Sequence, residues 1–146
     1  MTINDSQIKL TIMARLEDIR ILGVAIRTLA AEYGLEMMAC TEVELAAVEA
    51  ITNVVKYGYA NQPQGVIDVT LYSNPEMLVL SLHDQGTPMP EDALNNADGS
   101  VFDYDIDNIE TWPTSGMGLS LIKAVMDDVQ YMSGEAGNIL RLVKKK

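Results

Sequence analysis

Three polar side chains recur at helical spacing in a stretch that is otherwise mostly small and apolar. Glu49, Asn53 and Lys56 are separated by four and three residues, so a helix would carry them on one face. A carboxylate and an amide on a largely buried helix need polar partners. An amide oxygen can bind Mg²⁺, and a carboxylate one turn away can deprotonate a nucleophile. The alternative is a solvated edge made by Glu49 and Lys56, with Asn53 incidental.

A second candidate is an aspartate that ends an alternating apolar segment. Leucines at alternate positions of the segment 77–83 share one face, and Asp84 continues that face toward the helices. A buried carboxylate needs hydrogen-bond donors, and a flat ligand with an exocyclic amine, such as adenine, supplies one. Gly86 would let the backbone turn sharply and approach such a ring. The alternative is an ordinary Asp-x-Gly turn. The same alternation directs His83 away from the helices.

Two glycines at the start of a predicted helix are the third candidate. Gly116 and Gly118 follow Ser115 and precede apolar residues at helical spacing. The free N–H groups and the dipole of a helix N-terminus bind phosphate, and glycines keep side chains out of the way. The motif is not a Walker sequence, because no Gly-Lys-Ser/Thr follows it. It is not a dinucleotide fingerprint, because no strand immediately precedes it.

Periodicity predicts three helices to carry these residues. Apolar residues at steps of three and four predict a first helix from residue 16 to about residue 33, which Gly34 ends. Thr41 is predicted to open the second helix, with Glu44 completing a capping box. The third helix is predicted to begin at Gly116.

Alternation of apolar and polar residues predicts five strands, at residues 8–14, 66–73, 77–83, 129–133 and 138–143. The order β-α-α-β-β-loop-α-β-β predicts an α+β two-layer sandwich in one domain, residues 1–146. Its helices cover one face of a mixed, mostly antiparallel sheet. Residues 85–115 allow at most short helices. The basic tail 144–146 is expected to fray.

Composition restricts the function classes. The net charge is −11, which disfavours binding to nucleic acid. No apolar run has the length of a membrane span and no secretory signal is visible, so we expect a cytoplasmic protein without membrane contact. The single cysteine, Cys40, permits neither an internal disulfide nor a multi-cysteine zinc site, and we interpret it as a small buried residue.

The three motifs, in this order, match the layout of the Bergerat-type ATP fold of histidine-kinase catalytic domains, Hsp90 chaperones, DNA gyrase and MutL. Within that superfamily the chain most resembles the stand-alone anti-sigma-factor serine kinases. The run from Glu49 to Tyr59 is similar to their N box. Asp84-Gln-Gly86 is similar to their first glycine box, and the run from Ser115 to Leu119 to their second. The resemblance covers roughly residues 8–143.

The resemblance implies ATP and Mg²⁺ as cofactors. Glu49 would be the general base, Asn53 the Mg²⁺ ligand, and Asp84 the residue that binds the adenine amino group. Residues 88–115 would form the ATP lid. The other implied nucleotide contacts, in the N box and the two glycine boxes, are Lys56, Gly86, Ser115, Gly116, Gly118 and Leu119.

The implied activity is that of an ATP-dependent protein serine kinase that acts as an anti-sigma-type regulator. The family phosphorylates a serine on a small antagonist protein, which frees a sigma factor or another regulator when it is unphosphorylated. That antagonist and a sigma factor are therefore the expected partners, and family members often form homodimers. Arg20, on the first helix, lies about where relatives contact their partners.

Two departures from the family pattern keep alternatives open. Lys56 stands where many relatives have histidine, and the predicted lid contains no Lys or Arg between Pro88 and Ser115. Phosphoryl transfer relies on positive charge around the transferred group. One alternative is a non-catalytic, ATP-gated binding protein. The other is a separate catalytic subunit of a histidine kinase, although no upstream dimerisation helix with a phospho-accepting histidine is visible.

Overall fold

An antiparallel sheet of five strands, covered on one face by helices, forms the part of the chain that this computed structural model describes, residues 5–90, 93–96 and 115–146. In chain order, its elements are β1 (Ser6–Met13), α1 (Leu16–Glu32), α2 (Met37–Asn53), a π-helical turn (Val54–Gly58), β2 (Val66–Ser73), β3 (Met77–Asp84), α3 (Ala93–Asn96), α4 (Ser115–Val125), β4 (Asp128–Gly134) and β5 (Gly137–Lys145).

The strand order β1-β2-β3-β5-β4 decides which residues can meet. The α+β sandwich expected from the sequence is confirmed. Every strand pair within the described residues is antiparallel, so this sheet is antiparallel and not mixed as predicted. Strand β5, not β4, lies beside β3. As a result Asp84 at the end of β3 faces Asn138 at the start of β5 in register.

The core lies between the inner face of the sheet and the helix layer. Alternate residues of β2, β3 and β5 are buried there, as alternation predicted. They pack against apolar residues of all three long helices, including Ile26, Ile51 and Ile122. Each such side chain contributes about 1.5–3 kcal/mol on burial, which fixes the register of the sheet under the helices.

Helix α2 begins four residues earlier than predicted. Its first turn starts at Met37, where the N–H of Cys40 donates to the carbonyl of Glu36 at 2.9 Å. The hydroxyl of Thr41 donates to the Met37 carbonyl at 3.2 Å, so Thr41 lies inside the helix and the predicted capping box is wrong. Glu44 instead pairs with an arginine of α1. Tertiary packing of Cys40, which is buried as expected, sets this start.

The prediction that the basic tail frays is also wrong. Strand β5 extends to Lys145 because it is an interior strand, paired on both sides. The ammonium of Lys144 donates to the Val125 carbonyl and lies 3.4 Å from the Glu42 carboxylate. The Lys146 ammonium donates to the Ser73 hydroxyl at 2.7 Å. The tail therefore joins the sheet to α2 and α4.

The segment predicted to lack regular structure contains the short helix α3, as the sequence allowed. Residues 91–92 and 97–114 lie outside the described residues, and with them most of the predicted lid and its seven acidic side chains. Among the helices described, none has the length and apolar character that crossing a membrane requires.

Candidate functional site

A cavity of about 530 Å³ opens between α2, α4 and the inner face of the sheet. Its walls are largely apolar, which suits a flat organic ligand. The lining residues come from both layers and are Ala50, Asn53, Val54, Tyr57, Gly58, Leu82, Asp84, Thr87, Pro88, Met89, Pro90, Ala93, Leu119, Tyr131 and Leu140. Three residues singled out from the sequence, Asn53, Asp84 and Leu119, are therefore brought together.

Asp84 is the charged group of the cavity floor. It is 6% exposed and faces the helix layer, as the alternation of β3 predicted. The backbone N–H of Gly86 and the side-chain amide of Asn138 both donate to its Oδ1, each at 2.9 Å. Within the described residues Oδ2 accepts no hydrogen bond. The cavity floor therefore presents a hydrogen-bond acceptor to a ligand.

Sequence reasoning missed Asn138. The residue is 3% exposed, and its amide also donates to the Gly86 carbonyl at 2.8 Å. A signal was present, because Asn138 begins a series of alternate residues whose other members, Leu140 and Leu142, are buried leucines. What could not be predicted was the pairing of β5 with β3, which places this amide beside Asp84.

Gly86 lies where two backbone segments approach each other closely. It does not line the cavity, whereas Asp84 and Thr87 on either side of it do. A Cβ at Gly86 would lie 2.6 Å from the backbone carbon and oxygen of Gly58. The N–H of Thr87 donates to that same carbonyl at 2.8 Å. The glycine thus permits contact between two backbone segments, and its part in the close approach of a ring stays a prediction.

Glu49 and Asn53 meet the first turn of α4 at Gly118. A Cβ at Gly118 would lie 3.1 Å from Glu49 Oε2 and 3.5 Å from Asn53 Nδ2. Helices α2 and α4 can approach this closely because Gly118 lacks a side chain. The N box and the second glycine box are therefore adjacent. Ser115 and Gly116 lie in the same first turn.

The environment of Glu49 favours its protonated form. The side chain is half-buried, and loss of solvation raises the pKa of its carboxyl group, while the Lys56 cation partly opposes that rise. A carboxylate with a raised pKa is a better proton acceptor near neutral pH. Lys56 itself is exposed in the π-helical turn and does not line the cavity, so its contribution here is the charge that Glu49 experiences.

Tyr131 is a second lining residue that the sequence did not reveal. Its hydroxyl accepts a hydrogen bond from the Met89 N–H at 3.0 Å and so holds the chain that follows Asp84 over the cavity. Burial, with a further contribution from the Asp84 charge, raises the pKa of the Tyr131 phenol. The hydroxyl therefore stays protonated at neutral pH.

Three other residues named from the sequence lie away from the cavity. Arg20 is exposed on α1. His83 faces away from the helices as predicted, with its Nε2 2.8 Å from the Ala136 carbonyl. Cys40 is buried, its thiol donates to the Leu35 carbonyl at 3.5 Å, and burial raises the pKa of that thiol.

The walls and polar groups of the cavity fit a purine nucleotide with its magnesium ion. Apolar walls and one acceptor on the floor suit a flat base with an exocyclic amine. In the part of the chain that the structure describes, no group of three or more His, Cys, Asp or Glu residues could hold a metal alone. In nucleotide sites Mg²⁺ takes several of its ligands from phosphate oxygens and waters. Asn53 offers the side-chain oxygen for such an ion.

Comparisons with known proteins agree with this geometry. A family model described as a histidine kinase-like ATPase domain matches residues 12–144. Relatives named serine-protein kinase RsbW, from Bacillus cereus strain ATCC 10987 / NRS 248 and Bacillus anthracis strain A0248, are 29% identical over 135 residues. That alignment covers 92% of this chain and 82% of each relative.

Solved structures share the fold. The RsbU and RsbW domains of Rv1364c from Mycobacterium tuberculosis align with a TM-score of 0.63 and 18% identity, over 95% of this chain and 31% of that chain. The catalytic domain of the histidine kinase ThkA aligns with a TM-score of 0.55 and 17% identity, over 95% of this chain and 97% of that domain.

Proposed function

The chain belongs to the histidine kinase-like ATPase domain family, and from that premise we propose that it is a protein serine kinase that uses ATP and Mg²⁺. The observation that carries the proposal is the convergence of three separate elements on one site. Asp84 and Asn53 line the same cavity, and Glu49 contacts Gly118 beside it. The kinase names of the RsbW relatives, similar over most of both chains, support the reaction class.

Each residue has a defined part in the proposed mechanism. Asp84 accepts a hydrogen bond at Oδ2 from the exocyclic amine of the base. Asn53 would hold a magnesium ion through its amide oxygen, and backbone N–H groups of the first turn of α4, Gly118 included, would hold phosphate oxygens. ATP, when bound, would supply its γ-phosphoryl group to the serine oxygen, with ADP as the leaving group. Glu49, close to that turn, accepts the proton of the attacking serine hydroxyl.

The proposed substrate is a serine on a small antagonist protein, and a sigma factor is the proposed partner that this kinase sequesters. The anti-sigma-type resemblance of the three boxes and the RsbW relatives support both assignments. Arg20 is exposed on α1 and accessible to such a partner. We place this activity in the cytoplasm, where sigma factors act.

Transfer of labelled phosphate from Mg-ATP to the serine of the antagonist tests the kinase proposal. Glu49→Gln keeps the size of the side chain and removes the base, so we expect the transfer rate to fall by about 100- to 10,000-fold. Glu44→Gln is the matched control, because Glu44 lies on α2 and pairs with Arg27 at 3.6 Å, away from the cavity. A rate unchanged by Glu49→Gln contradicts the general-base role.

One observation favours a second function, that of a non-catalytic protein whose partner binding is gated by ATP. No Lys or Arg is among the described residues that line the cavity. Positive charge around the γ-phosphate speeds phosphoryl transfer, so its absence slows chemistry more than binding. ATP binding by calorimetry, combined with no transfer to the antagonist over hours, would favour this function over the kinase.

A further inference from the structure

Asn138 occupies a core position on β5 that packing alone does not explain. It is 3% exposed and precedes the buried Leu140 and Leu142 on the same face of the strand. A buried amide is unfavourable unless its polar atoms are hydrogen-bonded, and a leucine would continue the apolar row without that requirement. We therefore expect the Asn138 amide to make hydrogen bonds that a leucine could not make.

Both protons of the Asn138 amide are used at the end of β3. Its Nδ2 donates to Asp84 Oδ1 at 2.9 Å and to the Gly86 carbonyl at 2.8 Å. A carbonyl and an ionised carboxylate can only accept, so the amide must present its nitrogen to them, which fixes its orientation. Asn138 thus ties the Asp84 side chain to the backbone that follows it.

We infer that Asn138 is a positioning residue that sets the nucleobase preference of the cavity, an inference that rests on the proposed nucleotide binding. Asn138 and the Gly86 N–H together occupy Oδ1 of Asp84, which leaves Oδ2 to meet the base. An ionised carboxylate oxygen accepts hydrogen bonds and cannot donate them. Adenine presents an amine where guanine presents a keto oxygen, so a fixed Asp84 accepts ATP and rejects GTP.

Loss of the Asn138 amide would remove this discrimination. The Asp84 carboxylate would keep one donor, the Gly86 N–H, and could rotate about its Cβ–Cγ bond. Binding of adenine would then have to fix that rotation, and the carboxylate could turn away from a keto oxygen. The affinities for ATP and GTP would therefore converge. A general loss of stability would instead weaken the binding of both nucleotides by a similar factor.

The test measures ATP and GTP affinities by titration calorimetry on the full chain, with Mg²⁺, before and after Asn138→Leu. We expect ATP binding to weaken by about 10- to 100-fold, the range for a lost hydrogen bond to a charged group. We expect the ratio of ATP to GTP affinity to fall by about 10-fold. An unchanged ratio overturns the inference even if both affinities drop.

Asn74 provides the matched control. Its side-chain oxygen accepts from the N–H groups of Glu76 and Met77 in the turn between β2 and β3, remote from the cavity. Asn74→Leu should lower the melting temperature and leave the ATP-to-GTP ratio unchanged. A ratio that also falls in Asn74→Leu overturns the inference, because the effect would then be a general one.

A second variant keeps the inference testable if Asn138→Leu does not fold. Asn138→Asp retains the size of the side chain and replaces the two donors with a carboxylate that repels Asp84. The ATP-to-GTP ratio should again fall, and an unchanged ratio overturns the role of Asn138 alone. If the unmodified chain binds neither nucleotide, the proposed nucleotide binding is wrong as well. If the unmodified chain binds ATP and the variants keep its ATP-to-GTP ratio, only the role of Asn138 is wrong.

Discussion

At the scale of single residues, the proposed chemistry depends on two carboxylates in different surroundings. Asp84 is buried and receives two N–H donors on one oxygen, which orients it as a recognition group. Glu49 is half-buried, and its pKa is raised, which makes it suited to accept a proton. One group therefore recognises a base, while the other moves a proton.

Substitution of Asp84 by Asn should weaken ATP binding. The variant presents an amide where the adenine amine needs an acceptor, and it places a second amide against Asn138. We expect a loss of about 10- to 100-fold in ATP affinity, measured by titration calorimetry. Asp68→Asn is the matched control, since Asp68 lies on β2 and bonds the Thr11 hydroxyl, away from the cavity. Equal ATP affinity in the Asp84 and Asp68 variants would rule out the recognition role.

The raised pKa of Glu49 predicts a pH-dependent stability. A carboxyl group whose pKa is higher in the folded state stabilises the fold fully below its unfolded value, 4.5, and loses that stabilisation as the pH rises through the folded value. Glu49→Gln is neutral at every pH. Its melting temperature should therefore rise relative to that of the unmodified chain as the pH rises from 4.5 through the raised folded pKa of Glu49.

Calorimetric melting curves at several pH values check this prediction. Glu44→Gln, on the same helix but facing α1, is the control for the change of charge. A melting-temperature difference between Glu49→Gln and the unmodified chain that stays constant with pH would show that Glu49 is solvated in the folded protein.

At the scale of elements, the site depends on two backbone segments in direct contact. The residues after β3 touch the end of the π-helical turn through Gly86 and Gly58. A π-helical turn is uncommon and often marks a functional site. Here it follows Asn53 directly, so the same turn that ends α2 also supports the floor of the cavity.

Gly86→Ala should be strongly destabilising. The added methyl would lie 2.6 Å from the Gly58 backbone, and a backbone cannot move away as a flexible side chain can. We expect a loss of about 1–3 kcal/mol in the free energy of unfolding, measured by urea denaturation. Gly134→Ala is the control, since its Cβ would meet nothing within 4 Å. Similar losses in both variants would show that the Gly86 contact is not tight.

At the scale of the whole molecule, the placement of β5 between β3 and β4 joins the site to the rest of the fold. It sets Asn138 beside Asp84 at one end of the strand. At the other end it brings Lys144 against Val125 of α4 and Glu42 of α2. The C-terminal strand thus holds the two helices that form the walls of the cavity.

Lys144→Met should destabilise the protein, because the Val125 carbonyl loses its donor and Glu42 loses its cation. The hydrogen bond to the Val125 carbonyl is partly buried, so we expect a loss of about 1–2 kcal/mol in the free energy of unfolding, measured by urea denaturation. Lys145→Met, at the next and exposed position, is the control and should change stability by less than about 0.5 kcal/mol. Equal stability of the two variants would contradict a structural role for the tail.

The sequence by itself determined the element types and the direction of the side chains along each strand. Hydrophobic periodicity is local, so it was enough to place Asp84 on the helix side and Glu49 with Asn53 on one face of α2. It misplaced the start of α2 and the end of β5, since tertiary contacts of Cys40 and Lys144 outweigh local propensity there.

Only the tertiary structure decided which distant residues meet. Strand order depends on the pairing of segments far apart in the chain, and the local pattern of β5 is equally compatible with other neighbours. The meeting of Asn138 with Asp84, of Gly86 with Gly58 and of Gly118 with Glu49 follows from that order and from close helix packing. Those contacts turn three short motifs into one site.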